Sequence, residues 1–424
     1  MKWQAYPKYK DSGIEWLGEI PEHWEVIRVK TLEGNDTEVV QTGPFGAQLH
    51  ASDYVDEGVP LVLIRNVVNL QIDDTNIPRI THEDAERLST YRLEVGDIAF
   101  SRVGSIGRIA LCTERERGWL ISGQMLRLRI RNPKLNSRFS MHAFSSAAVL
   151  TFVALQSVGS TRESINTDIL RNMPLPIPPS DEQRAIAAFL DRETERLDAL
   201  IARKVQQIEL LQEKRAALIS HTVTKGLDPN APMKDSGVEW LGEIPVHWEV
   251  VRLKYAFVLQ RGFDLSSDKF ADGCYPVCAS NGIIGYHDQW TTEGPSITVG
   301  RSGSVGEVNF IEVNFWAHNT ALYVKHFRRT HRKFTYYLLK TLDLKSLSAG
   351  TAVGTLNRNY IHDSLIPVPD FFEQEGIAEY LDRQTQRIDA LIRKIHESIT
   401  TLREHRTALI SAAVTGKIQV QRTS

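Results

Sequence analysis

The chain has 424 residues, 42% of them hydrophobic and 24% charged, with a formal net charge of −2. That length allows two or three domains with cores of their own, and the composition is ordinary for a globular protein rather than a fibrous or low-complexity one. No apolar run approaches the roughly 20 residues that cross a bilayer, no export leader opens the sequence, and Cys112, Cys274 and Cys278 are too few for a disulfide framework. The expectation is a cytoplasmic protein with no membrane partner, whose charge is informative only locally.

Residues 10–30, KDSGIEWLGEIPEHWEVIRVK, return at 234–254 as KDSGVEWLGEIPVHWEVVRLK, with 17 of 21 positions identical at an offset of 224. A second repeat runs at an offset of 191: EQRAIAAFLDRETERLDALI (182–201) with EQEGIAEYLDRQTQRIDALI (373–392), and RAALISHTVT (215–224) with RTALISAAVT (406–415). The offset falls because the first copy carries about 33 extra residues between its two blocks. Near-identical frames around unlike middles imply one task performed twice by the frames and a different task for each middle.

The middles, roughly 31–175 and 255–366, read as strands and turns. GDIAFSRVGSIGRIALC (96–112) matches PSITVGRSGSVGEVNFI (295–311), and each contains Arg-x-Gly-Ser-x-Gly inside a β hairpin pattern. Either the glycine loop brings backbone amides and an arginine to phosphate, or it is a tight turn with a surface arginine. Charge is segregated in the first middle: residues 53–97 hold ten acidic and four basic side chains, whereas 102–138 hold nine basic and two acidic. Alternation in Leu126-Arg127-Leu128-Arg129-Ile130-Arg131 places three arginines on one strand face, and Lys325, His326, Arg328, Arg329, His331, Arg332 and Lys333 are the second middle's counterpart. Such clusters suit the phosphates of a duplex or form ordinary solvated faces. Gly159-Ser160-Thr161 with Asn166, and Gly350-Thr351 with Asn357, are paired polar loops; Gln41-Thr42-Gly43-Pro44-Phe45-Gly46 and Gln260-Arg261-Gly262 are weaker ones. The candidate DNA contacts are Arg102, Ser105, Arg108, Gln124, Arg127, Arg129, Thr161 and Asn166 in the first middle, and Arg301, Ser304, Asn319, Arg328, Arg329, Thr351 and Asn357 in the second.

After each middle comes a long helix. Ser180 with Gln183, and Asp370 with Glu373, read as capping boxes. Each helix then spans about 40 residues, roughly 60 Å. Alternating steps of three and four give a seam through Leu190, Leu197, Ile201, Ile208 and Leu211, and through Leu381, Ile388, Ile392, Ile399 and Leu402. Helices this long with a narrow apolar stripe need a partner; an antiparallel pairing with each other is expected, with Lys204 as the irregular point.

Catalytic chemistry is missing from the sequence. There is no GxxxxGK[ST] loop, no GxGxxG cradle after a strand, no Asn-Pro-Pro-aromatic segment, and no GxSxG or HExxH. Cys274, Cys278 and His287 lack the second pair that completes a tetrahedral metal site.

The duplicated SGIEWLGEIPEHWEV block, the paired Arg-x-Gly-Ser-x-Gly loops, the GST…IN…PLPIPP segment and the EQRAIAAFLDRETERLDALI helix together resemble the specificity subunit of type I restriction–modification systems. The resemblance spans nearly the whole chain and implies an α+β architecture: two mixed α/β target recognition domains separated by two long helices in an antiparallel coiled coil, with internal pseudo-two-fold duplication. The expected domains are 1–178, the helix 179–225, the second reader 226–367, the helix 368–416 and a tail 417–424. It implies a non-catalytic subunit whose readers each take half of a split, asymmetric DNA site while helix length sets the gap. It also implies two modification subunits carrying S-adenosylmethionine, and restriction subunits using ATP and magnesium, with no cofactor on this chain. The competing readings are a coiled-coil adaptor that never touches DNA and a fused single-chain enzyme.

Overall fold

The computed structural model describes residues 4–32, 39–45, 48–102, 107–156, 165–348 and 354–420. The chain divides into two compact units, 1–203 with 398–424 and 204–397.

In the first unit, β1 (Glu25–Arg28) comes from the repeated opening block, followed by β2 (Val40–Thr42), β3 (Ile98–Ser101), β4 (Ile109–Leu111), β5 (Met125–Leu128) and β6 (Pro174–Ile177). An antiparallel sheet runs β4-β3-β5-β2, while β1 pairs separately with β6. Strand β3 is an unbroken buried run, Ile98-Ala99-Phe100-Ser101, because the sheet is covered on both sides. The helix α1 (Ser137–Phe144) lies against it, with Phe144 edge-on to Phe100 at 5.2 Å. The short α2 (Thr167–Asn172) precedes β6, and α3 (Ser180–Lys225) follows it.

The second unit repeats this plan. β7 (Glu249–Arg252) pairs with β12 (Leu365–Val368), and a sheet runs β10-β9-β11-β8 from β8 (Phe257–Arg261), β9 (Ser296–Gly300), β10 (Val308–Ile311) and β11 (Ala321–Phe327). The helices are α4 (Arg332–Thr341), α5 (Arg358–Asp363) and α6 (Phe371–Val414). Both Arg-x-Gly-Ser-x-Gly segments join antiparallel neighbours, β3 to β4 and β9 to β10, as the hairpin pattern requires. Trp24 and Trp248, the same residue of the two opening blocks, are fully buried in their respective cores.

In the first unit the N-terminal part of α3 packs against the C-terminal part of α6: Leu190 and Leu197 share a core with Leu409 and Ile410, and Asp198 meets Arg406 at 3.0 Å. In the second unit the C-terminal part of α3 meets the N-terminal part of α6: Ile219 and Val223 join Ile377 and Leu381, and Arg215 meets Asp389 at 3.0 Å. The start of each long helix thus packs on the end of the other, which is an antiparallel pairing. Leu190, Leu197, Ile208, Leu381, Ile388 and Ile399 are buried, while Ile201, Leu211, Ile392 and Leu402 are half-buried. Lys204 is also half-buried.

The capping boxes are not built as expected. Asp370 does cap, accepting from the Glu373 N–H at 2.9 Å, but the Glu373 carboxylate turns away to His247 (2.9 Å) and to the indole N–H of Trp248 (3.0 Å). Glu182 likewise takes His23 (2.8 Å), the Trp24 indole (3.2 Å) and the Tyr6 hydroxyl. Gln183 is fully buried: its amide donates to the Pro178 and Lys134 carbonyls and its oxygen accepts from the Asn136 N–H, all at 2.8 Å. Gln374 does the same with the Pro369 and Arg329 carbonyls (2.9 and 3.0 Å) and the His331 N–H (2.7 Å). These glutamines fasten each long helix to the loop that ends the sheet. A buried amide with three bonds serves there better than a helix-end cap, because leaving those backbone groups unpaired would be costly.

Candidate nucleic-acid interface

Each sheet has a far end, remote from its clamping glutamine, and there the two units make the same main-chain connections. Arg102 follows β3; its N–H donates to the Gln124 carbonyl and its carbonyl accepts from the Ile165 N–H, both at 2.9 Å. Arg301 follows β9; its N–H donates to the Thr320 carbonyl at 2.9 Å and its carbonyl accepts from the Leu356 N–H at 2.8 Å. The segments leading into α2 and α5 are thereby tied beside an arginine. Asn166 and Asn357 follow directly and cap those helices, accepting from the Ile169 N–H (2.8 Å) and the Asn359 N–H (3.0 Å). Gly43 and Gly262 complete the correspondence. A Cβ on either would stand 2.2 Å from the Ser122 or His318 carbonyl oxygen, so only glycine lets the chain pass there.

What surrounds this shared arginine differs. In the first unit the Arg102 guanidinium lies over the Phe45 ring, 5.1 Å from its centroid, with Phe45 55% exposed and Gln124 and Arg108 also exposed. In the second unit Arg301 lines a cleft of about 580 Å³ with Arg261, Asn357, Arg358 and Tyr360. Tyr360 is largely exposed, Ser304 is exposed, and Asn319 is half-buried and donates to Asp264. Neither Arg301 nor Arg358 makes an ion pair among the described residues. The second lip therefore offers two guanidinium groups without an ion pair, a third on Arg261 that meets Asp264 at 3.5 Å, an aromatic ring and an amide, a set suited to phosphate oxygens and base edges. Ser105, Thr161 and Thr351 lie outside the described residues.

One expectation needs correction, and a second pair of candidates lies away from the lip. Arg127 and Arg129 are not a surface pair. The Arg127 side chain is 7% exposed; it donates to the Thr90 and Arg92 carbonyls at 2.8 and 2.9 Å and to the Gln41 side chain, and burial pushes its guanidinium down to about 10. Arg129 grips the buried Asp97 at 2.6 Å and Glu94 at 2.9 Å. These donors are committed internally, because an arginine-rich strand covered on both faces has to bring its own carboxylates. Arg328 and Arg329 are exposed but lie at the other end of β11: Gly300 pairs with Ala321 while Phe257 pairs with Phe327. A seven-residue strand separates them from Arg301 by roughly 20 Å, and Arg329 is paired with Glu249 at 2.6 Å. Sequence reading ranked Phe45 and Arg261 low and passed over Arg358 and Tyr360, which no repeated motif marks.

No group of three His, Cys, Asp or Glu side chains among the described residues is placed to hold a metal. Burial pushes the Cys112 and Cys278 thiols up to about 12, which leaves them protonated and unreactive. No described helix is long and apolar enough to cross a membrane.

Residues 52–210 and 245–401 each match the family described as the type I restriction modification DNA specificity domain. Over 97% of its length the chain is 27% identical to the putative type I restriction enzyme MjaX specificity subunit of Methanocaldococcus jannaschii, covering 98% of that protein. It is 22% identical to the MjaVIII specificity subunit of the same organism, with 97% of each chain covered. It is 21% identical to the EcoBI specificity subunit of Escherichia coli over 86% of this chain and 81% of that one. Among solved structures, a chain from work on complex assembly and conformational transition of the type I R-M system shares the fold with a TM-score of 0.72 at 17% identity, covering 93% of this chain and 98% of that one. The HsdS subunit from Thermoanaerobacter tengcongensis gives 0.53 at 17% identity, covering 94% and 98%.

Proposed function

The chain belongs to the type I restriction modification DNA specificity family, and from that premise we propose that the lip around Arg102 reads one half of a split DNA site and the lip around Arg301 reads the other. The chain is the non-catalytic DNA-recognition subunit of a complex with modification and restriction subunits. One observation carries the assignment of the lips: each unit holds an arginine by the same two main-chain bonds, amid side chains that differ between the units. Constant geometry with variable neighbours suits two readers of different sequence on one phosphate backbone.

In this reading the long helices separate the two half-sites, so their length sets the unread gap. Two modification subunits, related by the internal duplication, dock on the frames. S-adenosylmethionine belongs to those subunits, ATP and magnesium to the restriction subunits, and the complex works in the cytoplasm where its DNA is. The test is to co-express the chain with its modification subunit in a methylation-free host and sequence the modified adenines. A single split motif with an unspecified centre is expected. A soluble complex that modifies nothing would favour the adaptor reading.

A further inference from the structure

The second lip carries one group that a purely phosphate-binding surface has no use for. Asp264 follows Gly262 by two residues, and its side chain is 79% exposed. Its Oδ1 atom meets the Arg261 guanidinium at 3.5 Å and also accepts from the Asn319 amide. Arg301 and Arg358, in the same cleft as Arg261, make no ion pair among the described residues. A surface pair between residues three apart contributes little to stability. A carboxylate also repels the phosphates that the two unpaired arginines suit. Neither stability nor backbone contact accounts for Asp264.

The loops that carry the three side chains are fastened to each other. The Phe263 N–H donates to the Ala317 carbonyl at 2.7 Å, and the His318 ring bonds the Leu265 carbonyl at 3.1 Å and the Thr320 hydroxyl at 2.9 Å. Arg261 and Asn319 are thus brought to one carboxylate oxygen, which puts their polar heads within about 6 Å of each other, two hydrogen-bond lengths. In the first unit, counting from Gly43 and Gln124, the corresponding positions are Thr42, Phe45 and Gly123, and residues 40–45 and 122–124 contain no carboxylate. The cluster therefore belongs to one reader and not to the repeated frame.

We propose that Arg261 and Asn319, aligned by Asp264, read a guanine and an adenine on neighbouring base pairs of the second half-site, while Arg301 and Arg358 take phosphate. This rests on the reading that the Arg301 lip takes the second half-site, and it adds which bases are read there. Base edges in the major groove carry donors and acceptors without full charge, so a carboxylate is tolerated against them. With one side engaged by Asp264, Arg261 keeps N–H groups that match guanine N7 and O6. Asn319 gives one amide hydrogen to Asp264 and keeps the other, with its oxygen, for adenine N7 and N6. Heads about 6 Å apart suit bases separated by one step of roughly 3.4 Å.

The test uses the full chain in complex with its modification subunit and measures competition among duplexes that carry the methylated motif or one substituted base pair in it. The expected motif has a G·C pair next to an A·T pair in the half that an exchange of 255–366 alters. Arg261→Ala should cut discrimination at the guanine roughly ten- to hundredfold, and Asn319→Ala the same at the adenine, with the other half-site read as before. Asp264→Ala should relax both positions together. Arg358→Ala should instead weaken binding to every duplex alike and lower its salt dependence. Circular dichroism melts of each variant, matching wild type, show that the fold is retained. A motif without those neighbouring pairs would overturn the assignment, as would Arg261→Ala and Asn319→Ala variants that lose affinity uniformly with discrimination intact. A wild-type complex that binds no duplex would instead overturn the underlying reading, and the assignment with it.

Discussion

The two ends of each sheet obey different rules. At the helix end, Gln183 and Gln374 make the same three bonds to the same kinds of main-chain group, and Glu182 and Glu373 take the same histidine–tryptophan pair. At the lip, the positions of Arg102 and Arg301, the capping asparagines and the glycines Gly43 and Gly262 are held in common, while Phe45 in one unit gives way to Arg261, Arg358 and Tyr360 in the other. Buried polar groups at the helix end have no freedom to drift, since each lost partner leaves another group unpaired. Exposed lip residues carry no such penalty, so they are free to change with what they touch. The fold therefore separates what holds a reader from what a reader selects.

That separation breaks first if the frame tolerates damage. Trp248→Ala empties the centre of the second core and should cost about 3–5 kcal/mol, read as a lower thermal midpoint with both half-sites unchanged in whatever complex survives. Asp97→Ala leaves the Arg129 guanidinium without its closest carboxylate in a covered sheet, and about 3–5 kcal/mol is expected from that uncompensated charge. A denaturation curve that hardly moves would mean that water reaches it. Gln374→Leu strands three main-chain groups, for about 2–4 kcal/mol of stability, with no change in the sequence recognised. At the lip, Arg301→Ala should leave the thermal midpoint alone and weaken binding by about 1–3 kcal/mol at the second half-site only. Equal losses at both half-sites would contradict separate reading. The smallest effect belongs to Arg329→Ala, which removes an exposed pair with Glu249 and should change stability by less than about 1 kcal/mol while leaving the DNA sequence read unchanged.

The parts legible in the sequence were those governed by periodicity and repetition. The three–four spacing gave the seam, since burial along a helix leaves a regular trace, and the paired glycine loops gave the hairpins. The alternating arginines misled because alternation shows that a strand has two faces without saying what covers them. The charge segregation carried the missing information: the acidic stretch 53–97 supplies Asp97 for Arg129, and Glu94 for Arg129 and Arg131, so the two stretches neutralise each other inside one unit. Arg358 and Tyr360 were invisible for another reason. They reach the lip because the Leu356 N–H bonds the Arg301 carbonyl, a contact across more than fifty residues that leaves no local pattern. The clamping role of Gln183 was hidden likewise, behind a spacing that suits an ordinary helix cap.

The central claim is that two independent readers sit on one repeated frame. Its most direct test replaces 255–366 with the corresponding segment of another member of the family and maps methylated adenines with the modification subunit present. A motif changed in one half, with the other half and the gap intact, is the expected result. A motif altered in both halves would contradict the claim.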